Sequence, residues 1–204
     1  MAADAALNEW VLDLEPDART FMIAWHVDYW DSLGWPDPFA SSLYTQRQQH
    51  YNQVIQSTTM YTPDFWVHGE QAPLNFASVE AMIADWLDTA SHASVELTLA
   101  SEATASPLLV DYEVTDAPSG SDFYLVLVEG GLSSVVTAGE NNGATLDHEA
   151  VVRAFVPADG MSGQESITPP DDLVPENAKI IGFVQNWSTL CMYGAAGIDL
   201  VPPE

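Results

Sequence analysis

Residues 25–39 read WHVDYWDSLGWPDPF, directly after the apolar run FMIA at residues 21–24. The run predicts a buried strand over residues 20–27, nearly continuously apolar, as in a parallel strand that is covered on both faces. The stretch carries three of the chain's seven tryptophans, and beyond the strand it predicts a loop. Loops are usually polar, because their backbone must meet water. This aromatic loop is therefore expected either to pack as a lid or to line a site.

The charge balance excludes two classes of partner. The 204 residues contain 30 acidic side chains and four basic ones, which gives a net charge of −26. Nucleic acids and anionic lipid surfaces are recognised through Lys and Arg, so neither is expected to bind this chain. The carboxylates are spread along the whole sequence. This pattern indicates either solubility through self-repulsion or adaptation to a salty, halophilic habitat.

The sequence shows neither a targeting segment nor a pair of cysteines that would indicate a function. No apolar run is long enough to predict a membrane span. The N-terminal stretch lacks the basic and apolar regions of a signal peptide. Cys191 stands alone, so it forms no intrachain disulfide, and we predict a small buried hydrophobic residue there.

The first half of the chain mixes helical and strand-like patterns, judged from the spacing of apolar residues. Helices are predicted over residues 3–14, 42–57 and 78–92, and strands over residues 20–27, 65–68 and, briefly, 70–76. Ser41 or Ser42 is the expected cap of the second helix, and Ser78 the expected cap of the third. The pattern predicts an α/β unit over residues 1–93.

The second half reads as short strands separated by turn signals such as Asn142-Gly143. Strands are predicted over residues 95–100, 108–114, 123–129, 135–138, 150–156, 180–185 and 198–201. Residues 162–177 are predicted to be a long Pro- and Asp-rich loop. The pattern predicts an all-β, sandwich-like unit over residues 94–204, and the fold class is therefore α+β in two domains.

One of the four cations lies on an apolar stripe. Arg47 shares the inner face of the second helix with Leu43 and Tyr51. Its head either reaches water past the apolar surface or pairs with a carboxylate of the aromatic loop, Asp28 or Asp31. We favour the pairing, because cations are so scarce in this chain.

Two His–carboxylate pairs are weak candidates for metal ligands. His26 and Asp28 are spaced i, i+2, as are His68 and Glu70, so each pair shares one face of a strand. The remaining histidines, His50, His92 and His148, are interpreted as surface or turn residues. No nucleophile elbow and no Gly-rich phosphate loop occur, so neither a serine hydrolase nor a nucleotide cofactor is expected.

Several motifs resemble one secreted bacterial family. They are AWHVDYWD at residues 24–31, TQRQ at 45–48, YTP at 61–63, GENNGATL at 139–146 and VVR at 151–153. Together they resemble the thioredoxin-like family called domain of unknown function 1223. DHE at residues 147–149 and GFVQ at 182–185 also resemble the related Omp28-like group.

The resemblance implies a thioredoxin-like unit that normally opens with a strand and a Cys-x-x-Cys motif. The start of this chain resembles the segment just after those cysteines, so the unit is expected to lack its first strand and its redox pair. Dithiol–disulfide exchange needs two thiols, which favours a non-enzymatic binding or assembly role without a cofactor. The resemblance places the protein outside the cytoplasm, secreted or periplasmic. A second copy of the chain is one way to complete the sheet.

The same resemblance brings one set of residues to a common pocket. Its candidates are His26, Asp28, Tyr29, Trp30, Arg47, Thr62 and Pro63, with the Thr62–Pro63 bond matching the cis-proline of thioredoxin-like folds. The ligand is either an unknown protein or a small molecule. Two alternatives stay open: a fragment or relative of a thiol–disulfide oxidoreductase, and a sugar-binding module that stacks its ligand on Trp30 or Trp35.

Overall fold

The computed structural model describes residues 19–89, 91–139 and 141–202. Within these ranges the chain forms two α-helices and eleven β-strands in several sheets, so the α+β fold class is confirmed. The helix predicted over residues 3–14 lies outside the described residues. No helix within them is long and apolar enough to cross a membrane.

Both helices begin at a polar cap. Helix α1 (Ser42–Val54) begins after Ser41, whose side chain accepts the Leu43 N–H at 3.2 Å, as predicted. Helix α2 (Phe76–Leu87) begins after Asn75, whose side chain accepts the Ser78 N–H at 2.9 Å. The predicted cap at Ser78 is therefore wrong, because an asparagine three residues earlier already caps the first turn.

The strands of the described ranges are short in the first half and longer in the second. They are β1 (Trp66–Val67), β2 (Glu70–Gln71), β3 (Ser94–Leu99), β4 (Leu108–Thr115), β5 (Asp122–Glu129), β6 (Leu132–Val135), β7 (Thr145–His148), β8 (Val151–Pro157), β9 (Ser162–Ile167), β10 (Ala178–Gln185) and β11 (Met192–Asp199). An antiparallel sheet of order β11-β10-β5-β8 faces a second one of order β3-β4-β9. Strands β1 and β2 form one antiparallel pair and β6 and β7 another.

The four-stranded sheet is buried on both faces. On β5, Phe123 and Leu125 point into a core shared with the three-stranded sheet. The intervening Tyr124 and Val126 point into a second core, which Trp25 and Tyr44 close from the first half of the chain. This explains why an antiparallel strand reads as a continuous apolar run, a pattern more often associated with parallel sheets. The division into domains at residues 93 and 94 stays a prediction.

The apolar run at residues 20–27 does not form the predicted strand. Only Ala24 pairs, in a parallel bridge with Val151 of β8. The flanking Phe21 packs its side chain against the second core instead. Its ring occupies the space over Gly197 of β11, where a Cβ would lie 2.6 Å from Phe21 Cε1. The segment is thus held by side-chain burial on the sheet and makes only one backbone bridge.

Four assignments in the second half are wrong or incomplete. Strand β6 lies at Leu132–Val135, not at residues 135–138, and β11 begins six residues before the predicted 198. The predicted loop over residues 162–177 contains β9, whose residues are polar because only Ile167 is fully buried. Strand β7 (Thr145–His148) was not predicted for the same reason, since it too buries no apolar stripe.

Candidate functional site

The aromatic loop is folded on itself before it meets the rest of the protein. A 3-10 turn occupies Asp31–Leu33, and Gly34 ends it with a left-handed φ of 103°. The Asp37 N–H then donates to Asp31 Oδ1 at 3.1 Å, which closes the loop. Asp31 therefore serves the loop's own backbone.

His26 lies between the aromatic loop and the β6–β7 hairpin. Its Nδ1 donates to Asp37 Oδ2 at 2.6 Å, and its ring lies edge-on to Phe39 and, at 5.0 Å between centroids, to His148. Burial raises the pKa of Asp37, but the hydrogen bond and the charge of His26 outweigh it, so the pKa of this carboxyl is lowered. His148, predicted to be a surface or turn residue, is instead part of this ring cluster, with Nε2 at 2.7 Å from Ser134 Oγ.

The next two predicted residues bind helix α1. Asp28 Oδ1 accepts the buried Thr45 hydroxyl at 2.5 Å, and the Asp28 N–H donates back to Thr45 Oγ1 at 3.1 Å. The Tyr29 hydroxyl donates to Gln48 Oε1 at 3.2 Å. Gln48 in turn donates to the Tyr61 carbonyl at 2.9 Å, so one glutamine joins the aromatic loop to the segment before Pro63.

Trp30 meets the proline segment directly. Its Nε1 donates to Thr62 Oγ1 at 3.0 Å, and its ring lies 5.1 Å from that of Tyr29. The Thr62–Pro63 bond is cis, which confirms the predicted conformation. Trp30 remains 48% exposed and Leu33 56% exposed. We call Tyr29, Trp30, Leu33 and Thr62 the aromatic shelf.

Arg47 does not line this surface, and its predicted pairing is wrong. Within the described residues it meets no carboxylate: Nη2 donates to the Tyr51 hydroxyl at 2.5 Å and to Gln185 Oε1 at 3.0 Å. Asp28 and Asp31, the predicted partners, are used by Thr45 and by the loop backbone. Arg47 is 8% exposed, and burial lowers the pKa of its guanidinium. Nη1 has no hydrogen-bond partner among the residues that the structure describes.

A box of aromatic rings surrounds the Arg47 guanidinium. The distances from Cζ to the ring centroids run from 4.6 to 5.8 Å, for Trp25, Tyr51, Phe155, Phe183 and Trp187. Sequence reasoning did not find this box, because its members come from five separate segments. Two signals were available: Arg47 on the apolar stripe of its helix, and Gln185, a polar residue after the apolar run IIGFV.

A second buried arginine is fully paired. Arg153 donates through Nη1 to Glu129 Oε2 at 2.6 Å and through Nη2 to Asp172. Glu129 is 0% exposed, and its other oxygen accepts the Val174 N–H at 2.8 Å. The Arg153 guanidinium also lies 5.4 Å from the Phe39 ring of the aromatic loop.

The metal candidates do not converge. His68 stacks on Trp86 with 3.9 Å between centroids, and burial lowers its pKa. Across the described ranges, no group of three or more His, Cys, Asp or Glu side chains is arranged to hold a metal ion. Cys191 is exposed, so the prediction of a buried residue is wrong; it lies in the turn before β11 and faces solvent.

Comparison with known proteins places these features in one family. Residues 2–185 match the family described as Protein of unknown function (DUF1223). Protein AGR_C_4864 from Agrobacterium tumefaciens has a similar fold, with a TM-score of 0.66, 20% identity, and coverage of 99% of this chain and 88% of its own. A domain of the outer membrane lipoprotein Omp28 from Porphyromonas gingivalis has a TM-score of 0.33 and 15% identity over 57% of this chain and 93% of its own. Among curated proteins no match is found.

Proposed function

Because the chain belongs to the family described as Protein of unknown function (DUF1223), we propose that it is an extracytoplasmic binding or assembly module of thioredoxin-like type. The aromatic shelf is its binding surface. The thioredoxin-like unit comprises the first half of the chain, and the two facing sheets support a sandwich-like second unit. The expected partner is a protein or a small molecule with an apolar group.

One observation carries the proposal: Trp30 is half-exposed and yet held in place. A tryptophan whose indole N–H is bonded loses little conformational entropy when a ligand covers its ring. Its neighbour Leu33 is exposed to a similar degree. The Leu33 N–H donates to the Trp30 carbonyl at 2.9 Å, so one turn carries both residues, and large exposed apolar side chains on one segment are typical of recognition surfaces.

The cysteine content favours binding over redox chemistry. A thiol–disulfide oxidoreductase needs an attacking and a resolving thiol, whereas the 204 residues contain one cysteine, Cys191. The two remaining ligand classes, a protein partner and a sugar, both use the exposed ring of Trp30, so the same variant tests them.

Site-specific photo-crosslinking tests the protein partner. A photoreactive phenylalanine analogue at Leu33 should give one recurrent adduct in the extracytoplasmic fraction of the source cells, or a dimer if the partner is a second copy. The same analogue at Leu74 is the matched control, since Leu74 is 59% exposed and lies outside the shelf. Trp30→Ala should abolish the Leu33 adduct. Identical adducts from both positions would contradict the proposal.

Titration of tryptophan fluorescence with soluble oligosaccharides tests the sugar alternative. Stacking on Trp30 should give a saturable change that Trp30→Ala removes and Trp35→Ala leaves in place. A change of equal size in Trp30→Ala would contradict this alternative.

A further inference from the structure

Arg47 carries a charge that the described protein does not neutralise. The side chain is 8% exposed, and Nη1, with its two N–H groups, has no hydrogen-bond partner. Burying an ion without a counter-charge is strongly unfavourable. The chain does not lack counter-charges, because it contains 30 acidic residues. The absence of a carboxylate from the described surroundings of Arg47 is therefore a specific feature of this site.

The neutral groups around Arg47 compensate it only in part. Tyr51 and Gln185 both accept from Nη2, so their hydrogen bonds leave Nη1 unused. The aromatic rings attract the cation, but each ring contributes much less than a full negative charge in a dry interior would. The uncompensated part of the charge and the two N–H donors of Nη1 are left for a ligand.

We propose that Arg47 Nη1 binds one monovalent anion of halide size inside the aromatic box. Rings at 4.6–5.8 Å from Cζ enclose the guanidinium, so an organic acid would have to displace at least one of them. A halide is smaller than an organic acid and would displace the rings less. The site is separate from the aromatic shelf and does not depend on the proposed function.

Trp187 is the side chain that gives access to the site. It lies between β10 and β11, is half-buried, and stacks on His50 at 4.0 Å with the rings 4° from parallel. His50 Nε2 is 2.8 Å from the Trp187 carbonyl oxygen, so a hydrogen bond joins His50 to the turn that carries Trp187. In this proposal the Trp187 indole, whose ring centroid lies 5.3 Å from Arg47 Cζ, rotates outward to admit the anion.

Melting in chloride and in gluconate tests the proposal. At matched ionic strength both salts screen surface charges equally, so a chloride-specific, saturable rise in melting temperature reports binding. In Arg47→Gln the apparent chloride affinity should fall at least about tenfold, as expected for a lost hydrogen bond to a charged group. Lys179→Gln is the matched control, because it removes the same charge from an exposed pair with Asp199, and it should keep the response.

Crystals soaked in sodium bromide give a second, independent readout. An anomalous peak is expected within hydrogen-bond distance of Arg47 Nη1 in the wild type, and none there in Arg47→Gln. If Arg47→Gln does not fold, Arg47→Lys keeps the charge and should show weakened but saturable chloride binding. Equal melting in chloride and gluconate, or a folded Arg47→Gln that keeps the difference, would overturn the proposal.

Discussion

Two arginine side chains are buried in this protein, and they differ in how far carboxylates neutralise their charge. Arg153 lies between two carboxylates, one of them fully buried, and connects β5, β8 and the segment before Val174. Arg47 lies among aromatic rings and neutral acceptors on the second core. The same side chain thus acts as a structural tie in one region and as an uncompensated charge in the other. The difference shows that the role of a buried cation cannot be inferred from its burial alone. It depends on whether a carboxylate lies next to the cation.

The largest expected effect is the loss of the paired arginine. Arg153→Met leaves Glu129 buried and unpaired, which should lower the free energy of unfolding by about 3–5 kcal/mol. Urea denaturation of the purified variant measures the change. The control is Lys179→Met, which breaks an exposed pair and should cost less than about 1 kcal/mol. A loss as small as that in Arg153→Met would contradict the structural role assigned to this pair.

The unpaired arginine should tolerate the same substitution. In chloride-free buffer Arg47→Met should cost less than about 2 kcal/mol, because an apolar side chain of similar length removes the buried charge. Its former partners stay satisfied, since the Tyr51 hydroxyl still donates to Gln185 Oε1 at 3.1 Å and still accepts from Gln185 Nε2 at 2.8 Å. Urea denaturation again provides the measurement. Equal losses in Arg47→Met and Arg153→Met would remove the contrast between the two regions.

Salt should stabilise the whole acidic chain more modestly. Raising sodium gluconate from dilute to molar concentration screens the repulsion between carboxylates, and a gain of about 1 kcal/mol would shift the melting temperature by about 2–4 °C. Differential scanning calorimetry measures this shift in the wild type and in Arg47→Met, which should respond alike in gluconate. A flat or falling melting temperature would contradict the halophilic interpretation.

The smallest expected effect is on stability at acid pH. It arises from the Asp37–His26 pair, which lies near Arg153 because Phe39 contacts both His26 and Arg153. Because the folded-state pKa of Asp37 is lowered by His26, its contact stabilises the fold above the ordinary aspartate pKa, about 3.9. That contribution is lost as the pH falls through the lowered pKa. Asp37→Asn should therefore weaken the acid dependence of the unfolding free energy by less than about 1 kcal/mol. Arg47→Met should leave this dependence unchanged, and a change of equal size there would contradict the assignment.

Local patterns predicted much of the framework. The Ser41 cap and the apolar spacing after it placed helix α1 within a few residues of its observed end. Apolar runs placed β5 and β10, because burial on both faces leaves few polar positions, and Glu129 and Gln185 lie at the strand ends. Polar strands such as β9 were not predicted, because a strand that exposes most of its side chains has the polar sequence of a loop.

The candidate site was predictable only where its residues are close together in the sequence or belong to a motif that resembles the family. The aromatic loop and the Thr62–Pro63 position came from contiguous motifs, and the structure brings Trp30 and Thr62 together. The contact between His26 and His148 was not predictable, because it depends on how the β6–β7 hairpin folds back onto the loop. The choice of Asp37 as the partner of His26 depends on the path of the loop's backbone.

The sequence by itself determined the acidic balance, the scarcity of cations, the single cysteine and the position of helix α1 and of the buried strands β5 and β10, because these depend on composition and near-neighbour spacing. Only the tertiary structure decided which charges meet. Arg47 and Gln185 are 138 positions apart and touch because β10 brings one to the helix that carries the other. Contact between charges is a property of distance in space, and spacing along the chain does not encode it. The neutralised Arg153 and the uncompensated Arg47 can therefore be told apart only in the folded protein.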